Sequence, residues 1–287
     1  MFWAGENKVN KLLDKETTFH VPMVKDALEL LRELPNESIQ LVIADPPYNI
    51  DIEKWDKYEN YLEWAEKWIN EVYRILKKTG NFILFGGFQF KSSERGDLLD
   101  LLYYIRKNTK FKLINVIIWY YKNGIAARRF FSNRHEEIIW FAKTNKYIFN
   151  LDDVRIKYDE ETLELYKKDK RLNIENLYKG KNPTNVWEIP RLNSNSKERV
   201  GHPTQKPEKI IERIVRAMSN KSDIVLDIFA GSAVTTKVCI ENNRNSISCD
   251  NDEKFRKYLN LQLEKINLQN NYILLNDIKE YIEKNKN

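Results

Sequence analysis

Cysteine and histidine, the residues on which disulfide frameworks and zinc sites depend, are scarce in this sequence. The 287 residues include 2 cysteines, Cys239 and Cys249, and 3 widely separated histidines. Two cysteines cannot form the several bridges of a small secreted domain, and they suit a reducing compartment. The same shortage leaves too few ligands for a zinc site. We therefore expect a cytoplasmic protein without a metal centre.

Long apolar segments are also missing. No segment reaches the roughly 20 apolar residues of a membrane-spanning helix, and the opening MFWAGENKVNKLLDKE is too polar for a signal peptide. Hydrophobic residues nevertheless make up 42% of the chain and charged residues 31%. A chain of this length and composition can bury a substantial core. The composition therefore predicts a soluble globular protein with no membrane partner.

The positive charge is concentrated in one part of the chain. Residues 122–200 contain 17 Lys and Arg against 12 Asp and Glu, which is nearly all of the net charge of +6. Such a stretch is compatible with a nucleic-acid partner, but a solvated surface can have the same composition. The charge alone leaves both interpretations open.

Apolar strands alternate with amphipathic helices along most of the chain. Strands are predicted at 17–24, 39–45, 81–87, 113–121, 135–143, 223–229 and 245–250, and helices at 25–34, 59–78, 96–108, 208–219 and 235–242. Gly80 is expected to end the helix at 59–78. Residues 151–200 are polar and weakly periodic, as in an inserted surface region. The alternation predicts an α/β fold with a mainly parallel sheet.

The segment IVLDIFAGSAVTTKV (224–238) has the pattern of a strand, a tight turn and a helix. Gly231 would let the backbone approach a ligand at the start of that helix. Asp250 ends the next strand, 19 residues later, close to the spacing at which an acidic residue binds ribose hydroxyls. Any α/β protein can contain a similar turn, so a single glycine is weak evidence.

The glycine-rich fingerprints of other nucleotide sites are absent. Neither G-x-G-x-x-G nor G-x-x-x-x-G-K-[ST] occurs. A phosphate-bearing ligand would need more unhindered N–H groups than this turn supplies. S-adenosyl-L-methionine, which has a ribose but no phosphate, fits better than a nicotinamide cofactor.

The apolar strand that ends at Asp45 is followed by Pro46, Pro47 and Tyr48. Prolines supply carbonyl groups but no N–H, and ligands of open α/β sheets bind beyond the carboxyl ends of strands. The turn therefore presents hydrogen-bond acceptors without competing donors. A ligand that suits it is a flat amine with two N–H donors, such as the exocyclic amine of a nucleobase. Tyr48 could stack on a base flipped out of a duplex. The alternative is that Asp-Pro-Pro is simply a rigid turn.

DPPY (45–48), DIFAGSA (227–233) and HPTQKP (202–207) together resemble the motifs of the β-class DNA amino-methyltransferases. The catalytic motif precedes the cofactor motif, as in that circularly permuted class. Two longer segments, 123–144 and 181–187, resemble the adenine-N6 modification enzymes of the RsrI type, which act at GAATTC. The resemblance implies a Rossmann-like methyltransferase sheet, circularly permuted and mostly parallel with one antiparallel strand.

The resemblance also implies a division of the chain and a set of site residues. Residues 1–150 would form the catalytic half of the methyltransferase domain, residues 151–200 a target-recognition insertion, and residues 201–287 the cofactor-binding half. Asp45, Pro46, Pro47 and Tyr48 would act on the target amine. S-adenosyl-L-methionine would be bound by Asp26, His202, Pro203, Thr204, Lys206, Phe229, Ala230, Gly231, Ser232 and Asp250.

Within the cofactor set, the resemblance implies separate tasks. Residues 229–232 would line the methionine part, Thr204 and Lys206 would lie near its carboxylate, and Asp250 would bind the ribose. Asp26 could contact the adenine amine of the cofactor or simply begin a helix, and the sequence leaves both open. Ala233 stands where the family more often has glycine, which predicts a slightly stiffer turn.

Residues 123–200 are expected to face the DNA. The candidate contacts are Arg128, Arg129, Arg134, Asn133, Asn182, Asn185 and Asn193. Most arginine contacts to DNA go to phosphate, so we expect this for at least two of the three arginines. The asparagines could read adenine or cap turns. Trp119, Trp140 and Trp187 are expected in the core.

The leading hypothesis is a type II restriction-modification enzyme that methylates adenine N6 in double-stranded DNA. In the family, Asp at position 45 favours adenine and Ser favours cytosine. Cytosine-N4 methylation and a non-catalytic nucleic-acid-binding protein on the same scaffold are the alternatives. The resemblance also implies functional pairing with a cognate restriction endonuclease. The sequence leaves open whether the protein is a monomer or a homodimer.

Overall fold

A nine-stranded sheet forms the centre of the computed structural model, which describes residues 17–48, 58–88, 98–124, 126–129, 131–267 and 269–284. The strands are β1 Thr18–Val24, β2 Ile39–Ala44, β3 Leu76–Gly86, β4 Lys112–Tyr120, β5 His135–Ala142, β6 Val186–Glu188, β7 Ile224–Asp227, β8 Asn245–Asp250 and β9 Tyr272–Leu274. The helices are α1 Ala27–Glu33, α2 Tyr61–Ile75, α3 Leu98–Asn108, α4 Leu151–Val154, α5 Glu160–Lys167, α6 Ile174–Lys179, α7 Glu208–Met218, α8 Val234–Glu241, α9 Lys254–Leu263 and α10 Ile278–Lys284. Within these ranges, no helix is long and apolar enough to cross a membrane.

The strand order across the sheet is β6-β4-β5-β3-β2-β7-β8-β1-β9. All neighbouring strands run parallel except β5, which is antiparallel to both β3 and β4. This confirms the predicted α/β class and the single antiparallel strand. Parallel sheets are covered by helices on both faces. Val42 of β2 packs in the same cluster as residues of α1, α2 and α3, whereas Ile43 packs with residues of α7 and α8.

The pairing of β2 with β7 at the middle of the sheet positions the candidate site. Ile43 lies beside Asp227 in this parallel pair, so the two strands end at the same edge. The chain continues from β2 to β3 on one side and from β7 to β8 on the other. A crevice opens where successive connections diverge in this way, and ligands of open α/β sheets bind there.

The predicted end of one helix is wrong. The helix predicted at 59–78 ends at Ile75, and Leu76 adopts an extended conformation with ψ of 137°. Leu76 pairs with Ile39, so β3 begins there and contains Gly80, where the sequence pattern predicts the end of the helix. Burial of Leu76 against the sheet outweighs the helical periodicity of this segment. The helix predicted at 96–108 is described from Leu98 onward, and residues 96 and 97 lie outside the described ranges.

Residues 151–200 contain the short helices α4, α5 and α6, joined by irregular segments. Their strand β6 pairs in parallel with β4, so this region also extends the sheet at its edge. Trp119, Trp140 and Trp187 are all buried, which confirms their assignment to the core.

A buried amide ties this part of the molecule together. Asn81 on β3 donates from Nδ2 to the Ile148 carbonyl at 3.0 Å and to the Met218 carbonyl at 3.1 Å. Its Oδ1 accepts from Trp140 Nε1 at 2.8 Å. Asn81 has no exposed surface, so each of these polar groups depends on its partner.

We predict that Asn81→Asp strongly destabilises the fold. A carboxylate cannot donate to the carbonyls of Ile148 and Met218, and each buried group left unpaired costs about 1–3 kcal/mol. The free energy of unfolding in urea should fall by at least about 3 kcal/mol. Asn70→Asp, the same change on the exposed face of α2, should shift it by less than about 1 kcal/mol. Equal losses in the two variants would contradict this reading of Asn81.

Candidate active site

A cavity of about 590 Å³ lies beyond the carboxyl ends of β2 and β7. Every residue predicted from the sequence to act on the amine or to bind the cofactor lines it. Asn133 lines it as well, whereas Arg128, Arg129, Arg134, Asn182 and Asn185 lie outside its lining. The volume is in the range of sites for drug-sized ligands, roughly 300–1,000 Å³. The fold therefore brings the two motifs to one cavity although they are far apart in the sequence.

The Asp45 carboxylate is held by a buried ammonium group. Lys206 Nζ lies 2.7 Å from Asp45 Oδ2 and 2.9 Å from Oδ1. Burial alone would lower the pKa of Lys206, but the carboxylates of Asp45 and Glu136 outweigh it and raise that pKa. The resemblance implies a place for Lys206 near the methionine carboxylate. In the structure its ammonium contacts Asp45 within the same cavity, and its place near the methionine carboxylate stays a prediction.

Tyr48 completes this arrangement. Its hydroxyl donates to Asp45 Oδ1 at 3.0 Å, and Lys206 Nζ lies 3.3 Å from the same hydroxyl. Burial, followed by the charges of Asp45 and Glu136, raises the pKa of Tyr48 well above its ordinary value. Tyr48 is therefore a neutral donor that orients the Asp45 carboxylate.

The turn after Asp45 is anchored from α2. The hydroxyl of Tyr61 donates to the Pro47 carbonyl at 2.6 Å. A carbonyl oxygen has two lone pairs, so Pro47 keeps one after this bond. The contact fixes the direction in which the turn presents its acceptors, and nothing in the sequence pattern indicates it.

Glu136 is a functional candidate that sequence reasoning missed. Its Oε2 lies 3.4 Å from the Tyr48 hydroxyl and 3.7 Å from Lys206 Nζ. Burial, only partly offset by Lys206, raises its pKa. An antiparallel strand begins at the edge where its parallel neighbours end, so an acidic residue at the start of β5 belongs to the edge where β2 ends. That signal could have identified Glu136.

The turn after β7 is built around two carboxylates. Asp227 Oδ2 accepts from Thr235 Oγ1 at 2.5 Å, and its Oδ1 accepts from the Phe229 N–H at 3.2 Å. Asp250 Oδ2 accepts from the Gly231 N–H at 2.8 Å. Each Asp250 oxygen can accept a further bond, so the residue can hold the turn and still bind ribose hydroxyls.

Two residues of this turn have positive φ angles, and a side chain at the first of them would also contact His202. Gly231 has φ of +43°, and a Cβ there would lie 3.0 Å from the His202 ring. Ala233 has φ of +59°, a left-handed conformation that glycine adopts without the steric cost of a Cβ. A glycine at position 233, which the resemblance leads us to expect, would adopt this conformation at lower cost.

Asp26 has the helical role that the sequence left open. Its Oδ1 accepts from the backbone N–H groups of Leu28 at 2.9 Å and Glu29 at 3.1 Å, so it caps α1. Because Asp26 also lines the cavity, a contact to the cofactor remains compatible with the cap.

The candidate DNA contacts divide by position. Arg128, Arg129 and Asn182 are exposed. Arg134 donates to the Asn133 carbonyl at 3.0 Å and to the Gly124 carbonyl at 3.3 Å, and so shapes its own loop. Asn185 donates to the Val116 carbonyl at 2.9 Å. That bond fastens β6 to β4, which favours a structural role for Asn185.

The chain matches a family model described as DNA methylase over residues 39–261. The type II methyltransferase M.HpaI of Haemophilus parainfluenzae is 35% identical over 253 residues, which cover 86% of this chain and 74% of that protein. The DNA adenine methyltransferase YhdJ of Escherichia coli K12 is 34% identical over 258 residues, which cover 86% of this chain and 82% of that protein.

Solved structures show the same fold. The PvuII DNA methyltransferase, a cytosine-N4-specific enzyme, superposes with a TM-score of 0.66 at 22% identity, covering 88% of this chain and 89% of that chain. A Thermus thermophilus protein described as a DNA modification methylase, complexed with S-adenosyl-L-methionine, has a TM-score of 0.60 at 22% identity and covers 91% and 98% of the two chains.

We predict that Asp227 makes stability depend on pH. Burial raises its pKa from 3.8 to about 7. The folded protein therefore binds a proton more tightly than the unfolded chain, so this contribution to stability is present at low pH and is lost as pH rises towards 7. Asp227→Asn cannot titrate. Its amide oxygen can accept from the Phe229 N–H, and its NH₂ group can donate to Thr235 Oγ1, which reverses the direction of that bond.

The difference in unfolding free energy, variant minus wild type, should increase by about 3 kcal/mol between pH 5 and pH 8. Urea unfolding at several pH values in this window measures it. A difference that stays constant with pH would show that Asp227 has the same proton affinity in the folded and unfolded states.

Proposed function

The chain belongs to the DNA methylase family, and we propose that it transfers a methyl group from S-adenosyl-L-methionine to N6 of adenine in duplex DNA. The observation that carries this proposal is the single cavity that holds both Asp45 and the turn at residues 227–233. S-adenosyl-L-methionine would supply an electrophilic methyl group on a sulfonium. The cavity size, the position of Gly231 in the cavity lining and the acceptors of Asp250 are compatible with such a ligand.

The protein's own residues would prepare the amine. The lone pair of an exocyclic amine is delocalised into its ring, which makes the nitrogen a poor nucleophile. Asp45 and the carbonyls of Pro46 and Pro47 can accept its two N–H groups and thereby expose the lone pair. Lys206 and Tyr48 hold the Asp45 carboxylate in one orientation before the base arrives. Such preorganised charge costs no reorganisation during the reaction.

The choice of adenine rests on two supports. Asp at position 45 is the form that the family resemblance associates with adenine, and YhdJ, a DNA adenine methyltransferase, is 34% identical to this chain. Cytosine N4 is a chemically similar amine, and the fold is shared with the cytosine-specific PvuII enzyme. Cytosine-N4 methylation is therefore the second candidate.

A type II modification role is part of the proposal, with GAATTC as the target and a cognate restriction endonuclease as the functional counterpart. It is supported by the similarity to the type II methyltransferase M.HpaI and by the segments at 123–144 and 181–187. We also propose that residues 151–200 form a target-recognition insertion between two halves of one catalytic domain. The exposed Arg128 and Arg129 would contact DNA from the preceding loop.

We predict that the protein incorporates labelled methyl groups into a GAATTC duplex and that nucleoside digestion yields N6-methyladenine. Asp45→Ala should lower the single-turnover rate by at least about 100-fold, because it removes the acceptor that orients the amine. Asp100→Ala, which removes an exposed carboxylate of α3 outside the cavity, should keep the wild-type rate.

Each outcome of this assay decides a different part of the proposal. N4-methylcytosine as the product would favour the second candidate. Equal incorporation into a duplex with a scrambled site would remove the GAATTC specificity but leave the chemistry. Full activity of Asp45→Ala would refute the role of Asp45.

We also predict that Gly231→Ala weakens S-adenosyl-L-methionine binding by at least about tenfold, or roughly 1.4 kcal/mol. The new Cβ would press on His202 and displace the turn. Gly201→Ala is the matched control, since Gly201 also has a positive φ, of +99°, but its Cβ would meet only Tyr258 Cε1 at 3.7 Å. Calorimetry would measure both dissociation constants. Equal weakening in the two variants would show that backbone strain alone, rather than the contact with His202, accounts for the loss.

A further inference from the structure

A second carboxylate, Glu136, faces Asp45 and has no task in the function proposed above. It lies at the start of β5 with 20% of its side chain exposed, and it lines the cavity. Its neighbour Glu137 is committed to the fold, because it accepts the Phe88 N–H at 3.0 Å and lies 3.0 Å from His135 Nε2. The Glu136 carboxylate instead contacts Tyr48 and Lys206, both of which line the cavity, so its burial there needs another explanation.

Lys206 connects the two carboxylates. Its ammonium lies 2.7 Å from Asp45 Oδ2 and 3.7 Å from Glu136 Oε2. Tyr48 provides a second link, since its hydroxyl lies 3.0 Å from Asp45 and 3.4 Å from Glu136. A chain of polar contacts therefore leads from the proposed amine site through Lys206 to Glu136.

We propose that Glu136 is the terminal acceptor of the proton that the target amine loses, and that Lys206 passes this proton on from Asp45. The proposal rests on the proposed function only in that an amine is methylated, and it holds for adenine N6 and cytosine N4 alike. It adds an endpoint for the proton, which the reaction must release.

The step balances in atoms and charge. The amine nitrogen uses its lone pair to form the N–CH₃ bond, the S–CH₃ bond breaks, and the sulfur keeps that electron pair as a neutral thioether. The methylated amine carries one surplus proton, which passes to Asp45. Lys206 gives a proton to Glu136 and takes one from Asp45, so Lys206 and Asp45 both regain their starting forms. The positive charge lost from the sulfonium is matched by the negative charge lost from Glu136.

Asp45 is the poorer endpoint because both of its oxygens are bound to the Lys206 ammonium within 2.9 Å. Lasting protonation of Asp45 would break this buried pair and leave Lys206 partly uncompensated, at substantial cost. Glu136 makes longer contacts, at 3.4 Å to the Tyr48 hydroxyl and 3.7 Å to Lys206 Nζ. The charged and titratable groups around it are Asp45, Tyr48, Tyr121, His135, Glu137, Arg191 and Lys206. Burial raises the pKa of Glu136 despite the cations among them, which suits a proton acceptor.

The test is the pH dependence of the single-turnover methyl transfer rate from pH 4.5, the ordinary pKa of a glutamate, up to pH 8.5. In the wild type, the rate should fall on the acidic side as Glu136 becomes protonated. Glu136→Gln should lose about 100-fold in rate and should lack this acidic limb, since an amide accepts no proton. The dissociation constant of S-adenosyl-L-methionine, measured by calorimetry, should stay within about threefold and shows that the variant is folded. Glu63→Gln, on the exposed surface of α2, should match the wild type throughout.

Chemical rescue provides a readout that a purely structural role would not affect. Glu136→Ala leaves space for a small carboxylate, so added formate should raise its rate with concentration, whereas equal chloride should not. A Glu136→Gln rate within threefold of wild type with the acidic limb retained would overturn the proposal. Loss of activity in Glu136→Ala that formate does not restore would overturn it as well. A wild-type protein that methylates no DNA would instead overturn the proposed function, and this inference with it.

Discussion

The parallel pairing of β2 with β7 is the constraint from which the rest of the site follows. Because Ile43 lies beside Asp227 in this pair, the Asp45 turn and the cofactor turn leave the sheet at the same edge. Parallel strands cannot be joined by a tight hairpin, so the two motifs must be distant in sequence to be adjacent in space. The antiparallel β5 then begins at this edge and adds Glu136 to the same cavity.

The central electrostatic feature is a buried cation shared by two carboxylates. Lys206 is 8% exposed, and removing an ammonium from water is costly unless partners compensate for it. Asp45 and Glu136 supply that compensation at unequal distances. Buried ion pairs contribute little net stability compared with apolar packing, so this cluster is better understood as a functional arrangement. This asymmetry is consistent with the two proposed roles, in which Asp45 orients the amine and Glu136 accepts the proton.

Local patterns in the sequence were enough to predict the class of the fold and the position of the two motifs at the ends of strands. DPPY and DIFAGSA predict strand ends, and strand ends of a parallel sheet share an edge. The partners of these residues were not predictable, because they depend on tertiary contacts. Lys206 reaches Asp45 across 161 residues, and Tyr61 reaches the Pro47 carbonyl from a helix that the sequence placed only by its periodicity.

Leu76 has a helical pattern, yet pairing with β2 places it in a strand. The sequence left open whether Asn185 reads a base or caps a turn, and in the structure its amide donates to the Val116 carbonyl at the edge of the sheet.

Several side chains of the cavity combine a structural bond with a remaining capacity to bind. Asp26 caps α1 through Oδ1, which leaves Oδ2 outside the cap. Asp250 holds the Gly231 N–H through Oδ2 and the Asp252 N–H through Oδ1, and a carboxylate oxygen can accept more than one bond. A carboxylate fixed by backbone N–H groups cannot turn away when a ligand arrives, so its orientation costs no further entropy at binding. For the same reason, removing either carboxylate would disturb the backbone as well as the ligand contact, and loss of binding in such a variant could not by itself prove direct contact. Gly231, which offers no side-chain bond to lose, is therefore the cleaner position at which to test how the turn receives its cofactor.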